Sequence, residues 1–178
     1  MNQPISLAGT PAASPLGYYS WVFAHLARDP VYILIIIYIF LPYLSNTVIG
    51  DPLRGQATIG YVQSLSAWLV ALTIPFLGAI ADKDGRRTPW VIGTAIAISL
   101  ASIGLWWVTP QQGLDGVTLG LVLLFVIYTA FPVSEVFHNA MLPSIVPANM
   151  AGLFSGLGFS SGNMSGLVLM LFVLFAFA

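Results

Sequence analysis

The stretch Gly78-Ala79-Ile80-Ala81-Asp82-Lys83-Asp84-Gly85-Arg86-Arg87-Thr88-Pro89 decides the fold. Three of the five Lys and Arg residues and two of the six Asp and Glu residues fall between positions 82 and 87. On either side, residues 55–81 and 88–114 carry no charge. A helix needs roughly 20 apolar residues to cross a hydrocarbon core of about 30 Å, so each flank is long enough to span a bilayer. The charged run is then a short turn at a membrane surface, and its cations assign that surface to the cytoplasm.

The same reading extends along the chain. Residues 30–50, 116–134 and 136–178 are also free of Asp, Glu, Lys and Arg. With 58% hydrophobic and 6% charged residues and a mean hydropathy of +0.92, no fold could cover the apolar surface with polar groups in water. The fold class is therefore an all-α membrane protein with about five transmembrane helices, near 31–50, 57–81, 89–108, 116–137 and 151–178. Helices are required because each span must satisfy its own backbone, and no alternating pattern of about ten residues recurs as a membrane barrel demands. Val31-Tyr32-Ile33-Leu34-Ile35-Ile36-Ile37-Tyr38-Ile39-Phe40 favours strand by propensity, but its apolar length overrules that. The chain has no cysteine, which excludes disulfides and thiolate chemistry. It has no basic stripe for nucleic acid.

Residues 1–29 read as a cytoplasmic tail and an interfacial lead-in, and 30–178 as the transmembrane domain. Met1 to Leu16 is expected to be loose, and Tyr18 to Arg28 aromatic and interfacial. No Lys or Arg precedes Arg28 and no cleavage site follows an apolar run, so a signal peptide is not expected. A cytoplasmic amino terminus places Arg28, Lys83, Arg86 and Arg87 inside and only Arg54 outside, in an inner or plasma membrane if the protein is bacterial. Two helices joined by so short a turn must be antiparallel neighbours. Gly78 would let their ends approach, and Gly85 would turn the chain with positive φ. Asp82, at the unfavourable end of its own helix dipole, needs a partner: Arg86 or another helix N-terminus. The alternative is that these charges merely anchor the turn.

Gly78, Asp82, Gly85, Arg86 and Arg87 resemble the G-x-x-x-D-x-x-G-R-[RK] loop of the major facilitator superfamily. Phe137-His138-Asn139-Ala140-Met141-Leu142-Pro143 and Ser155-Gly156-Leu157-Gly158 are similar to segments of the vacuolar amino-acid effluxers associated with autophagy and of their bacterial relatives. Ala27-Arg28-Asp29-Pro30 and Phe40-Leu41-Pro42-Tyr43 resemble the same group. The resemblance implies the N-terminal part of a six-helix half, an aspartate–arginine gating relay in the loop, and transport of a small solute such as an amino acid. Such proteins bind solute between two six-helix halves, so the expectation is that this chain stops before a sixth helix. Transport would then belong to a longer parent or to an assembly with a partner chain.

Within the spans, ionisable groups are functional candidates by default, and Glu135 is the first. At helical spacing it shares a face with Leu124, Tyr128 and Phe131, where a carboxylate suits a coupling proton. Its alternative role is to pair with a loop cation near the cytoplasmic end of the fourth helix. Asn46, Gln63 and Asn139, placed beyond the fourth helix, could hydrogen-bond a solute or simply tie helices together at about 0.6 kcal/mol each. Pro42, Pro75 and Pro132 are candidate kinks. Gly158, Gly162 and Gly166 recur every four residues and form a packing stripe, expected to face the other half or to be left bare.

Two enzyme patterns occur by letter. Gly158-Phe159-Ser160-Ser161-Gly162 fits G-x-S-x-G, but its candidate bases are only His25 in the lead-in and His138 at the opposite end of a loop, and the small-residue packing reading is preferred. Glu135-Val136-Phe137-His138 has a metal-carboxylate spacing, yet Glu135 is the only glutamate, so no metal and no cofactor are assigned. The sequence reading is a non-enzymatic secondary transporter whose partners are a small-molecule solute, a coupling proton and the lipid bilayer. The rival reading is a membrane scaffold or assembly factor built on the same helices.

Overall fold

The computed structural model describes residues 4–177, and among them the chain is helical, with two isolated β-bridges, Ile5 with Pro11 and Ser6 with Pro147. Among the described residues, five helices are long and apolar enough to cross a membrane. They are α1 (Pro15–Val48), α2 (Pro52–Asp84), α3 (Thr88–Gly104), α4 (Leu114–Ile145) and α5 (Ala151–Phe177). The number agrees with the charge spacing, but the ends do not. The first helix begins at Pro15 rather than 31, so the expected lead-in is its first half, and α4 runs past Asn139 to Ile145.

Local chemistry explains several of these ends. The Asp51 carboxylate accepts from the backbone N–H groups of Leu53 and Arg54 at 3.0 and 3.1 Å, with Pro52 in the first turn where its missing N–H costs nothing. At the other end Gly85, at φ 63°, adopts the left-handed conformation that stops α2. Pro30 lies within α1, and the residues after it, Val31–Phe40, wind as a π-helix. The missing N–H and the ring of a proline interior to a helix disrupt the regular bonding ladder, which fits a change of winding there. A single α-helical turn at Leu41–Tyr43, containing Pro42, separates this from a second π stretch at Leu44–Val48.

The chain divides into two compact units, residues 1–38 with 139–178, and residues 39–138. In the first, α1 packs against α5, with Tyr18 meeting Phe154 edge-on at 4.7 Å. The first three residues of the segment expected to be loose lie outside the described ones, and from Pro4 on it is tied down: Ala8 N–H donates to Pro143 O, Ala13 N–H to Ile145 O and Ala148 N–H to Ile5 O, at 2.9–3.0 Å. Ser6 is buried there. Backbone groups can pair this way whatever their side chains, which is why composition did not reveal it.

In the second unit Val70, Ala81, Val133 and Phe137 form a core, with Ile74, Leu77, Trp90 and Val91 packed around it. Trp90 stacks on Phe137 with ring centres 5.3 Å apart. The Tyr43 hydroxyl donates to Val108 O at 3.0 Å. Gly120 faces Leu44, Val108 and Phe40.

Candidate functional site

The charged turn is built from the end of α2 and the start of α3. Gly85 reverses the chain, and open space surrounds the position its Cβ would take, so backbone conformation rather than crowding calls for glycine. Arg87 caps α3 through its carbonyl, which accepts from Trp90 and Val91 N–H. Its guanidinium Nη2 donates to Asp82 Oδ1 at 2.7 Å. The expected partner, Arg86, is instead exposed. The left-handed step at Gly85 followed by the helical backbone of Arg87 brings the second arginine back over the last turn of α2. Arg87 and Asp82 side chains are 32% and 65% exposed, and a pair this wet contributes at most about 1 kcal/mol. Such a contact can open and close at little cost. Gly78 does not serve a close approach: nothing lies within 4 Å of where its Cβ would be.

The intramembrane candidates occupy different settings. Glu135 is half-buried on α4, on the face that carries buried Leu124 and Tyr128 and half-buried Phe131. Asn46 is exposed near the end of α1, with its Oδ1 accepting from Ser45 at 3.4 Å. Gln63 is exposed on α2, one turn from Ser66, which is buried and donates to Val62 O at 3.0 Å. Asn139 is exposed and lies inside α4, not beyond it.

The glycine stripe has a partner within the chain, where the sequence reading left it bare or facing another half. A Cβ at Gly158 would meet the Trp21 ring at 2.6 Å, and one at Gly166 would meet Ile33 at 3.0 Å. At Gly162 it would overlap the Asp29 carboxylate. The stripe is thus the floor on which α1 lies, and it accommodates larger side chains of that helix: Trp21 and His25 at Gly158, Asp29 at Gly162 and Ile33 at Gly166.

That seam holds polar residues that sequence reasoning did not single out as a site. Arg28 Nε and Nη2 donate to Asp29 Oδ1 at 3.1 and 3.0 Å. His25 Nδ1 lies 3.3 Å from Asp29 Oδ2 and 3.2 Å from Arg28 Nη2. The side chains are only 7%, 11% and 16% exposed for His25, Arg28 and Asp29. Trp21 packs edge-on against the imidazole at 4.8 Å. The signal was present as the helical i, i+3, i+4 spacing of His25, Arg28 and Asp29, but it needed α1 to begin before them.

Comparison with known proteins adds a lineage to this geometry. Residues 47–154 match the family described as "Vacuole effluxer Atg22 like". Over 156 residues the chain is 26% identical to the "Uncharacterized MFS-type transporter YxiO" of Bacillus subtilis (strain 168), covering 84% of this chain and 35% of that protein. The chain therefore spans about a third of the length of that relative. No solved structure matches it. The family match takes in Asp82, Gly85, Arg87 and Glu135, whereas His25, Arg28 and Asp29 precede it. The matched stretch holds α2, the charged turn, α3 and α4, more than half of the chain, and the chain belongs to the Atg22-like vacuole effluxer family of major-facilitator-type transporters.

Proposed function

We propose that this chain serves a secondary transporter that moves a small solute, amino acids foremost, by alternating access. The observation that carries the reading is the Asp82–Arg87 ion pair across the α2–α3 turn, inside the stretch that matches the effluxer family. It is exposed enough to break and short enough to hold when made. In this reading the pair is the latch of the cytoplasmic side, with Arg86 beside it at the membrane surface. Glu135, on the packed face of α4, is a proton-accepting group, and Asn46, Gln63 and Asn139 offer hydrogen bonds to the solute. The amino terminus lies in the cytoplasm. Because the chain spans 35% of its relative's length, transport is assigned to the natural gene product or its assembly.

The test is reconstitution of the natural gene product in proteoliposomes, followed by uptake of labelled amino acids with and without a proton gradient. Gradient-dependent accumulation that falls in Asp82→Asn supports the proposal. Absence of flux for amino acids and for other small-solute classes, under gradients of either direction, rejects it in favour of a membrane scaffold.

A further inference from the structure

We propose that His25 and Asp29 form a proton-binding site within α1, with Arg28 as the group the proton displaces. His25 Nδ1 stands within hydrogen-bond distance of two groups that require opposite states of it. Toward Arg28 Nη2, at 3.2 Å, it must offer a lone pair, because guanidinium only donates. Toward Asp29 Oδ2, at 3.3 Å, it must carry a hydrogen, because an ionised carboxylate only accepts. One nitrogen cannot do both at once. The three side chains therefore have two alternative bonding patterns, distinguished by whether Nδ1 bears a proton.

The step between them balances. In the first pattern the neutral ring carries its hydrogen on Nε2; a proton arriving from water then forms an N–H bond at Nδ1 while the Nε2–H is kept, and the Arg28 N–H···Nδ1 hydrogen bond breaks. The new N–H donates to Asp29 Oδ2, and the net charge of the three residues rises from zero to plus one. Arg28 keeps its two bonds to Asp29 Oδ1, so the guanidinium pivots without losing its counter-ion. Imidazole is the side chain suited to such an exchange near neutral pH.

The surroundings favour a defined site. Trp21 packs against the ring of His25, and Gly158 and Gly162 leave room for the imidazole and the carboxylate respectively. On α5, the helix packed against them, residues 151–177 contain no Asp, Glu, Lys, Arg or His. Within this unit the charged groups that face His25 are thus Arg28 and Asp29 on the same helix. The inference rests on the transport reading and gives its coupling proton a second binding group in addition to Glu135.

The chain has two histidines, which makes the site directly observable. In the full chain, reconstituted in lipid, alanine carbonyl-carbon labels, histidine labelled throughout with carbon and nitrogen, and aspartate carboxyl-carbon labels together select His25: its backbone nitrogen follows the Ala24 carbonyl, whereas His138 follows Phe137, and its own carbons relay that selection to the imidazole. Nitrogen NMR of the imidazole is then followed from about pH 8 to about pH 5. The expected result is loss of the unprotonated Nδ1 signal on acidification, with magnetisation transfer from the new Nδ1 proton to the Asp29 carboxyl carbon. In the same series, Asp29→Asn should abolish the transfer. An Nδ1 signal unchanged across the range, or a protonated Nδ1 with no contact to Asp29 in the wild type, overturns the proposal without any variant having to fold. None of these readings depends on flux, so failure of the transport proposal is seen separately.

Discussion

At the scale of single residues, small side chains at contact points decide more than the polar ones do. Gly162 is the sharpest case, because a methyl there would overlap the Asp29 carboxylate. Alanine at this position must push α1 away or rotate Asp29 from Arg28 and His25. Overpacking of this kind costs typically about 1–3 kcal/mol, so Gly162→Ala should lower the thermal unfolding midpoint in detergent, while Gly156→Ala, which meets open space, should not. Equal midpoints for the two variants would remove the seam from the account. Asp82 and Arg87 call for a different test, because their exposed pair adds little to stability. Reversing either charge should slow flux, and the double reversal Asp82→Arg with Arg87→Asp should restore part of it. Additive losses would argue against a direct pair. The sequence pointed to the aspartate and to a nearby arginine, yet it selected Arg86. The choice depends on how Gly85 turns the backbone, and that is a property of two dihedral angles rather than of composition.

At the scale of elements, the existence of the helices was legible and their limits were not. Uncharged stretches long enough to span a bilayer identify helices, because lipid leaves the backbone no other partner. Charge does not end a helix, however: α2 continues through Asp82 and Lys83 and stops only at Gly85. Taking Arg28 and Asp29 as the boundary of the first span hid the His25 cluster inside α1. The outward faces were equally hard to read, since helices that are apolar all round carry little information about which side packs. That is why Asn46, Gln63 and Asn139 could be named as candidates while their exposure could not be foreseen. The α1–α5 seam offers a direct measurement in a chain that has no cysteine of its own. Ile33 Cβ lies 3.4 Å from the position of a Cβ on Gly166, close to the roughly 3.5–4.5 Å of a disulfide. The Ile33→Cys, Gly166→Cys variant should therefore form an intramolecular bridge on mild oxidation, seen as a mobility shift reversed by reductant. A pair one helical turn out of register, Ile33→Cys with Met170→Cys, should bridge far less. Equal bridging by the two pairs would mean that α1 and α5 have no fixed register.

At the scale of the whole molecule, the distribution of cations determines how the chain sits in a bilayer. Arg28 lies inside a continuous helix rather than in a loop, so the orientation rests on Lys83, Arg86 and Arg87 at one end of α2 against Arg54 at the other. The bias is still three to one toward the α2–α3 turn, and short loops are where such a bias is counted. α2 has 33 residues, about 50 Å at 1.5 Å per residue, so both its ends clear a hydrocarbon core of about 30 Å. Single cysteines near these ends report the orientation, and exposed Leu53 and Thr88 are suitable positions. In intact cells Leu53→Cys should react with a membrane-impermeant maleimide, and Thr88→Cys should react only after the membrane is opened. The opposite pattern would put the Asp82–Arg87 pair outside, and a cytoplasmic latch at that turn would no longer be possible.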